Sequence, residues 1–473
     1  MPETMTLRLP SSLNLRKAAE AALGGIAGAF QKQAMLLPTA LLGSFDPKYL
    51  ELPSEILISV MKKHQRYLPV FGSPGTERSG QLLPCFVAVR NGDSENMPIV
   101  RLGNEDVIRA RFADASFFYS NDMRQHLGSF VPRLSTLTFQ EKLGSVLDKV
   151  RRLERLAPLL GEMTSLSAAE LMTARRAANL CKADLATQMV IEMTSLQGVM
   201  GREYARRSGE PLAVADAILE HYLPRSAGDA LPASRPGIVL GIADRLDSLI
   251  GLFAVGLKPS GTRDPFALRR AASGVVQVLV EKQVHLDLRA AIQQAAQLLP
   301  VPADEAVQAD VLEYIAQRLR GMLLDQGLRH DVIDAVLARR QHNPFLAART
   351  ALLLSDWVRR EDWMGLLNAF ARCVRIVRDQ PTRYQVHPDR LSQPAAITLY
   401  EALRRAQASI PEPPSTNQVL GAVQTLVPAI NAFFDQVLVM DPDPAVRENH
   451  LGLVQEIASL TEDIADMSKL EGF

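Results

Sequence analysis

From about Leu134 onward, apolar residues recur at three- and four-residue spacing almost without relief, the pattern of helices that each bury one face. Leu143, Val146, Leu147, Val150, Leu153 and Leu156 line one such face. Lys149, Arg151, Arg152 and Arg155 fall on the others, so this helix is predicted to be amphipathic with a basic exterior. Further helices are predicted over Ala174–Val190, Val214–His221, Ile238–Phe253 and Asp264–Glu281, divided by turn chemistry such as Gly228-Asp229 and Leu231-Pro232. Leu299-Pro300-Val301-Pro302 marks a break. The cluster Pro411–Pro414 is expected to separate the last two helices, which carry Leu420, Val423, Val427, Ile430 and Phe434, then Leu451, Val454, Ile457 and Ile464. Convincing strand signals are confined to residues 46–120, where Tyr67–Phe71 and Leu82–Val89 flank a Gly/Ser/Pro-rich connection and predict a hairpin with a long loop. Ahead of it, a short helix opens at Pro53-Ser54-Glu55, carries Ile56, Val60 and Met61, and ends in the basic run Lys62-Lys63-His64-Gln65-Arg66.

These elements predict a mainly α, multidomain protein: a small α+β unit over residues 46–133, an all-α domain over 134–285, and a helical region over 286–473 ending in a bundle. The 473 residues agree, since one core stops growing beyond roughly 250 to 300 residues. Basic and acidic residues balance at 52 each, so the molecule has no overall field to draw in nucleic acid or a membrane, and anion binding must come from local patches. Cys85, Cys181 and Cys373 are far apart in apolar contexts and read as reduced core thiols. No uninterrupted apolar run reaches the roughly eighteen residues of a spanning helix, and a soluble protein is expected. Near the start, Arg8, Ser11, Ser12, Arg16 and Lys17 hint at an organelle transit peptide, while Glu3 and Glu20 oppose a signal peptide.

The segment from Gly256 to Arg270 joins a cation-bearing Gly/Pro loop to a helix start. Asp264 is expected to be the N-cap and Pro265 the first helical residue. Lys258 and Arg263 before the cap, with Arg269 and Arg270 after it, place positive charge at a helix end that is already positive. The segment therefore reads as a phosphate-facing element, or else as a solvated loop. Arg202, Arg206 and Arg207 flank Tyr204, and Arg372, Arg375 and Arg378 recur at three-residue spacing, a stripe suited to a phosphate backbone or to a solvated face. No nucleotide-binding glycine loop, His-Glu-x-x-His or Gly-x-Ser-x-Gly motif is present. Lys182-Ala183-Asp184, His221 and Ala243-Asp244-Arg245-Leu246-Asp247 follow an order resembling the HD-type phosphohydrolases, but Lys182 near a ligand position would oppose a metal. Asp184, Asp244 and Asp247 are expected to be ion-pair or capping groups, and His221 a core or rim residue.

Taken together, Lys63-His64-Gln65-Arg66-Tyr67-Leu68-Pro69-Val70, Gly103-Asn104-Glu105, Arg109-Ala110-Arg111-Phe112-Ala113-Asp114-Ala115-Ser116-Phe117-Phe118-Tyr119 and Phe139-Gln140-Glu141-Lys142-Leu143-Gly144-Ser145 resemble the β subunit of the bacterial-type heterotetrameric glycyl-tRNA synthetase. The resemblance continues through Leu196-Gln197-Gly198-Val199-Met200-Gly201, Glu220-His221-Tyr222-Leu223-Pro224 and Asn431–Met440. Residues 1–45 match poorly, and the family's large N-terminal region is not seen. The resemblance implies a degenerate HD-like middle domain and a C-terminal anticodon-binding-type bundle. It implies tRNA(Gly) as a partner, contacted here by Lys62, Lys63, Arg109, Arg111, Lys258, Arg263, Arg269, Arg270, Arg372 and Arg375. It also implies an α2β2 assembly in which the separate α subunit uses glycine and ATP with Mg, this chain binding no cofactor or metal and no membrane. The expected place is the cytoplasm, alternatively a plastid or mitochondrion. Two other readings stay open: a shortened, non-catalytic tRNA-binding paralogue, and an HD-type metal-dependent phosphohydrolase.

Overall fold

In the computed structural model, the described residues are 7–8, 38–72, 78–91, 93 and 95–473; the transit-like residues Ser11 to Lys17, with Glu3 and Glu20, lie outside them. They divide into two compact units, residues 1–154 with 172–222 and residues 155–171 with 223–473.

The first unit begins with a sheet of order β1-β3-β4-β2. Strands β1 (Leu7–Arg8) and β3 (Leu68–Phe71) are parallel, whereas β4 (Leu82–Asn91) runs antiparallel to both β3 and β2 (Pro38–Ser44). The predicted hairpin is β3–β4. Strand β2 lies ahead of the region where strand signals were expected, because Pro-Thr-Ala-Leu-Leu-Gly-Ser lacks alternation and its place is set by pairing with β4. Gly43 has no side chain for a reason: a Cβ there would overlap the Phe86 ring directly across the ladder, and Tyr67 stacks on that ring at 4.5 Å. Helix α1 (Ser54–Ser59) continues as a wider turn to His64 and buries Ile56, Leu57, Val60 and Met61 completely. The 26-residue helix α2 (Met97–Asp122) has no counterpart in the predicted elements. Its buried face holds only Ile108, Phe112, Ala115 and Asp122 while Ile99, Leu102, Val107 and Phe117 are exposed, so its apolar residues do not form one stripe.

A small ribbon, β5 (Thr138–Gln140) with β6 (Gly144–Ser145), leads into α3 (Val146–Met163). Its basic exterior needs correction. Lys149 and Arg152 are buried, at 5% and 6% exposure, because Arg152 donates to the Leu143 carbonyl at 3.1 Å and the Lys149 ammonium lies 4.7 Å from the Phe139 ring centre. Only Arg151 and Arg155 of that set face solvent. The helix predicted over Ala174–Val190 is broken: α4 (Ala168–Leu180) gives way to a 3-10 turn at Ala183–Ala186 and then α5 (Gln188–Glu192). Asp122, the last residue of α2, is buried, and its carboxylate satisfies the start of α5 by accepting from the Gln188 and Met189 amides (3.0 and 2.9 Å) and also accepts from the Tyr204 hydroxyl (3.0 Å). Helices α6 (Val199–Arg207) and α7 (Leu212–Glu220) pack on each other and complete the unit.

The second unit is helical. Helix α8 (Arg235–Ala254) is apolar nearly all round and central, with α9 (Leu268–Glu281), α10 (Leu288–Ala296) and α11 (Glu305–Asp325) packed against it. Then follow α12 (His330–Arg340), α13 (Pro344–Val358), α14 (Trp363–Val377), α15 (Pro394–Ala408), α16 (Thr416–Gln436) and α17 (Pro444–Ser459). Asp304, Asn343, Ser415 and Asp443 each cap a helix start with a side-chain oxygen. The Pro411–Pro414 cluster precedes α16, so it separates α15 from α16; residues 437–443 divide the last two helices. Cys85, Cys181 and Cys373 are all buried thiols outside any disulfide. Among the described residues, no helix is long and apolar enough to cross a membrane.

Candidate nucleic-acid interface

The loop after α8 turns at Gly256 (φ 79°), and Ser260 and Arg263 exchange backbone hydrogen bonds of 3.2 and 2.9 Å. Helix α9 starts at Leu268, later than the sequence pattern predicts, because Pro265 and Phe266 form an extra turn and Ala267 takes the left-handed conformation (φ 54°). Asp264 still caps the helix, its carboxylate accepting from the Leu268 and Arg269 amides at 2.8 and 2.9 Å. These amides are therefore occupied by the chain's own anion, and a phosphate at this loop must be met by side chains. Arg263 is exposed with no acid partner among the described residues. Arg269 donates to the Gly261 carbonyl and Arg270 to the Arg225 carbonyl, the latter at 3.3 Å, so both keep their charge uncompensated. Lys258 is ion-paired with Asp310 of α11 and lies over the Phe253 ring.

The other cations expected at a phosphate backbone divide in the same way. On the turn after α1, Lys63 is exposed and Lys62 half-buried. On α2, Arg111 is exposed without an acid partner among the described residues, whereas Arg109 pairs with Asp106 at 2.9 Å. On α14, Arg372 pairs with Asp435 at 3.2 Å and stacks over Phe434, while the exposed Arg375 lies over the Phe473 ring, 5.5 Å from its centre. Lys258 and Arg263 thus lie on one loop with Arg269 and Arg270 in the first turn of the helix it enters, and Arg372 and Arg375 share one helix. Lys62 with Lys63 and Arg109 with Arg111 stand on separate elements of the first unit.

Arg202, Arg206 and Arg207 of α6 line a cleft of about 600 Å³ together with Glu51, Glu55 and Glu203. Arg202 reaches Glu55 at 3.2 Å and Arg207 reaches Glu203 at 2.9 Å. Three acids answer three arginines here, and the cleft as a whole is neutral.

His221 is a core residue at 1% exposure. Its Nδ1 lies 2.6 Å from the Ile218 carbonyl, which assigns the proton to Nδ1 and leaves Nε2 to accept from the Lys182 ammonium at 2.9 Å. Lys182 is itself buried, 4.1 Å from the Tyr222 ring centre. Asp184 is fully buried, and its carboxylate accepts from the Gly198 and Gly201 amides at 2.6 and 3.1 Å, capping α6. Burial pushes its carboxyl up to about 6 against those amides. The lone pair of His221 faces an ammonium and Asp184 Oδ2 faces two amides, so at most the other Asp184 oxygen is left to a ligand and these residues do not fit a metal ion. Among the described residues, no group of three or more His, Cys, Asp or Glu is arranged to hold one.

Comparison with known proteins places the chain among aminoacyl-tRNA synthetase subunits. A family profile described as "Glycyl-tRNA synthetase beta subunit" matches residues 33–338. The glycine–tRNA ligase beta subunit of Moorella thermoacetica is 42% identical over 443 residues, covering 92% of this chain and 63% of that protein. The beta subunit of Clostridioides difficile is 39% identical over 92% of this chain and 62% of its own length. The "Glycine–tRNA ligase, chloroplastic/mitochondrial 2" of Arabidopsis thaliana is 39% identical over 92% of this chain and 40% of its own length. The chain belongs to the glycyl-tRNA synthetase β-subunit family, and it spans 63% and 62% of the first two relatives.

Proposed function

We propose that the chain is the tRNA-handling part of a glycine–tRNA ligase, holding tRNA(Gly) with cationic helices and loops while glycine and ATP are activated on a separate α subunit. Family membership carries this reading. The chemistry supports it: Arg111, Arg263 and Arg375 are exposed cations that no acid compensates among the described residues, on a chain with no net charge. Arg263, Arg269 and Arg270 form the densest cluster and are the leading phosphate contacts; Lys63, Arg111 and Arg375 extend them. Arg109, Lys258 and Arg372 contribute less, because each must leave a carboxylate first. The α2β2 assembly and a cytoplasmic or organellar setting belong to the same reading.

The test is glycyl-tRNA formation with and without an α subunit, alongside direct tRNA binding. The chain alone is expected to be inert but to bind tRNA. If about five phosphates are contacted, affinity falls on the order of a hundredfold between about 50 and 200 mM salt. Glycylation by the lone chain, or a flat salt response, contradicts the proposal. A second reading is a chain that binds tRNA or the α subunit without supporting glycylation. Stable complex formation without restored glycylation selects it.

A further inference from the structure

Residues Asp310, Tyr314 and Arg318 recur every fourth position on α11 and so share one face, the face that meets the Gly256–Ala267 loop. Asp310 anchors the loop through Lys258, and Tyr314 lies within electrostatic range of Asp264 and Arg269. The Arg318 guanidinium is stacked over the Tyr314 ring at 4.8 Å, and it makes no ion pair among the described residues. Two buried polar atoms on this face, the Tyr314 hydroxyl and Arg318 Nε, have no hydrogen-bond partner among the described residues, an arrangement that is costly until an acceptor arrives. The loop exposes Phe266 at 40% and Leu257 at 38%, and it carries the uncompensated Arg263. A lone exposed ring needs no explanation. A ring carried on the same loop as an uncompensated guanidinium, where that loop is anchored to the helix bearing Tyr314 and Arg318, does, because the segment offers an aromatic face and positive charge together.

Resting on the RNA-binding reading above, we infer that this loop and α11 take an unpaired stretch of RNA, with one base stacked on Phe266 and the neighbouring phosphates held by Arg263 and Arg318. Duplex RNA does not match the site. Its bases are already stacked and present only edges and phosphates, whereas an unpaired strand offers the base face that Phe266 can cover. Tyr314 positions Arg318 beneath its ring.

The experiment measures affinity of the full chain for a short single-stranded RNA, for the same strand annealed to its complement, and for a tRNA(Gly) transcript. Phe266→Ala is expected to weaken the single strand about fivefold or more, with the duplex unchanged and Phe266→Trp restoring the loss. Arg318→Ala is expected to weaken the single strand and lower its salt slope by about 0.7, the share of one phosphate. Both variants are read only with a wild-type melting curve, and Tyr314→Phe, which keeps the ring, serves as the milder probe if Arg318→Ala melts early. Unchanged single-strand binding by Phe266→Ala, or equal losses on both strands, overturns the inference while tRNA binding by the wild-type chain leaves the proposed function standing. Failure of the wild-type chain to bind any of the RNAs overturns both.

Discussion

Asp264→Ala separates the two jobs that the Gly256–Arg270 segment combines. In the native chain the Asp264 carboxylate accepts from the Leu268 and Arg269 amides at 2.8 and 2.9 Å, satisfying two of the donors that the start of α9 leaves unpaired. Replacing an N-terminal capping acid with alanine costs about 1 kcal/mol and up to about 2. With two charge-assisted bonds lost, the upper part of that range applies, and Asp264→Asn, which keeps one neutral acceptor, should lose about half as much. Urea melts followed by far-UV circular dichroism measure this as a lower midpoint at unchanged slope. RNA binding should move the other way or hold still. The substitution removes the negative charge between Arg263 and Arg269 and frees the two amides for a phosphate, so tRNA affinity at low salt is expected to rise modestly. A variant as stable as the parent would refute the capping argument. A stable variant with weakened tRNA binding would show that Asp264 itself organises the contact, and the reasoning about charge would fail.

Arg152→Ala should cost about 2 to 3 kcal/mol in denaturant melts, since it strips a buried guanidinium from the Leu143 carbonyl, whereas the exposed Arg155→Ala should stay within about 0.5 kcal/mol; equal effects would restore the basic-exterior picture of α3. Asp184, raised by burial from its ordinary 3.8 to about 6, favours folding most below pH 3.8 and loses that contribution as pH climbs through 6. The stability of the parent relative to Asp184→Asn should therefore fall by about 3 kcal/mol between roughly pH 4 and pH 7, and a constant difference across that window would rule the shift out. Arg263→Ala and Arg375→Ala should each lower the salt slope of tRNA binding by about 0.7 to 0.9, with Arg372→Ala changing it less because Asp435 already holds that charge; a larger effect at Arg372 would invert the ranking.

What the chain's pattern revealed and what it hid follow from the range of the interactions involved. The β3–β4 hairpin and the C-terminal helices were legible because each buries a face whose period is written within its own residues, and α8 because its apolar run is too long for a strand. Helix α2 was not, because its exposed side is almost as apolar as its buried one. The start of α9 was misplaced by a few residues since Asp264 can cap from outside a turn as well as from its first position, and only the left-handed Ala267 distinguishes the two. Arg152 looked like a surface residue because the carbonyl that receives it belongs to the ribbon before α3, not to the helix. The same reasoning governs the candidate interface. Cations can be counted along a chain, but their availability to RNA depends on whether the fold brings up an acid. The acids are remote: Asp310 is 52 residues from Lys258, Asp435 is 63 from Arg372, and Glu55 is 147 from Arg202. Neutralisation by distant partners turns the cleft on α6 from an apparent phosphate site into a balanced one. It leaves the loop before α9 and the first turn of that helix, where the Arg263, Arg269 and Arg270 side chains make no ion pair among the described residues, as the place where a polyanion gains most by arriving.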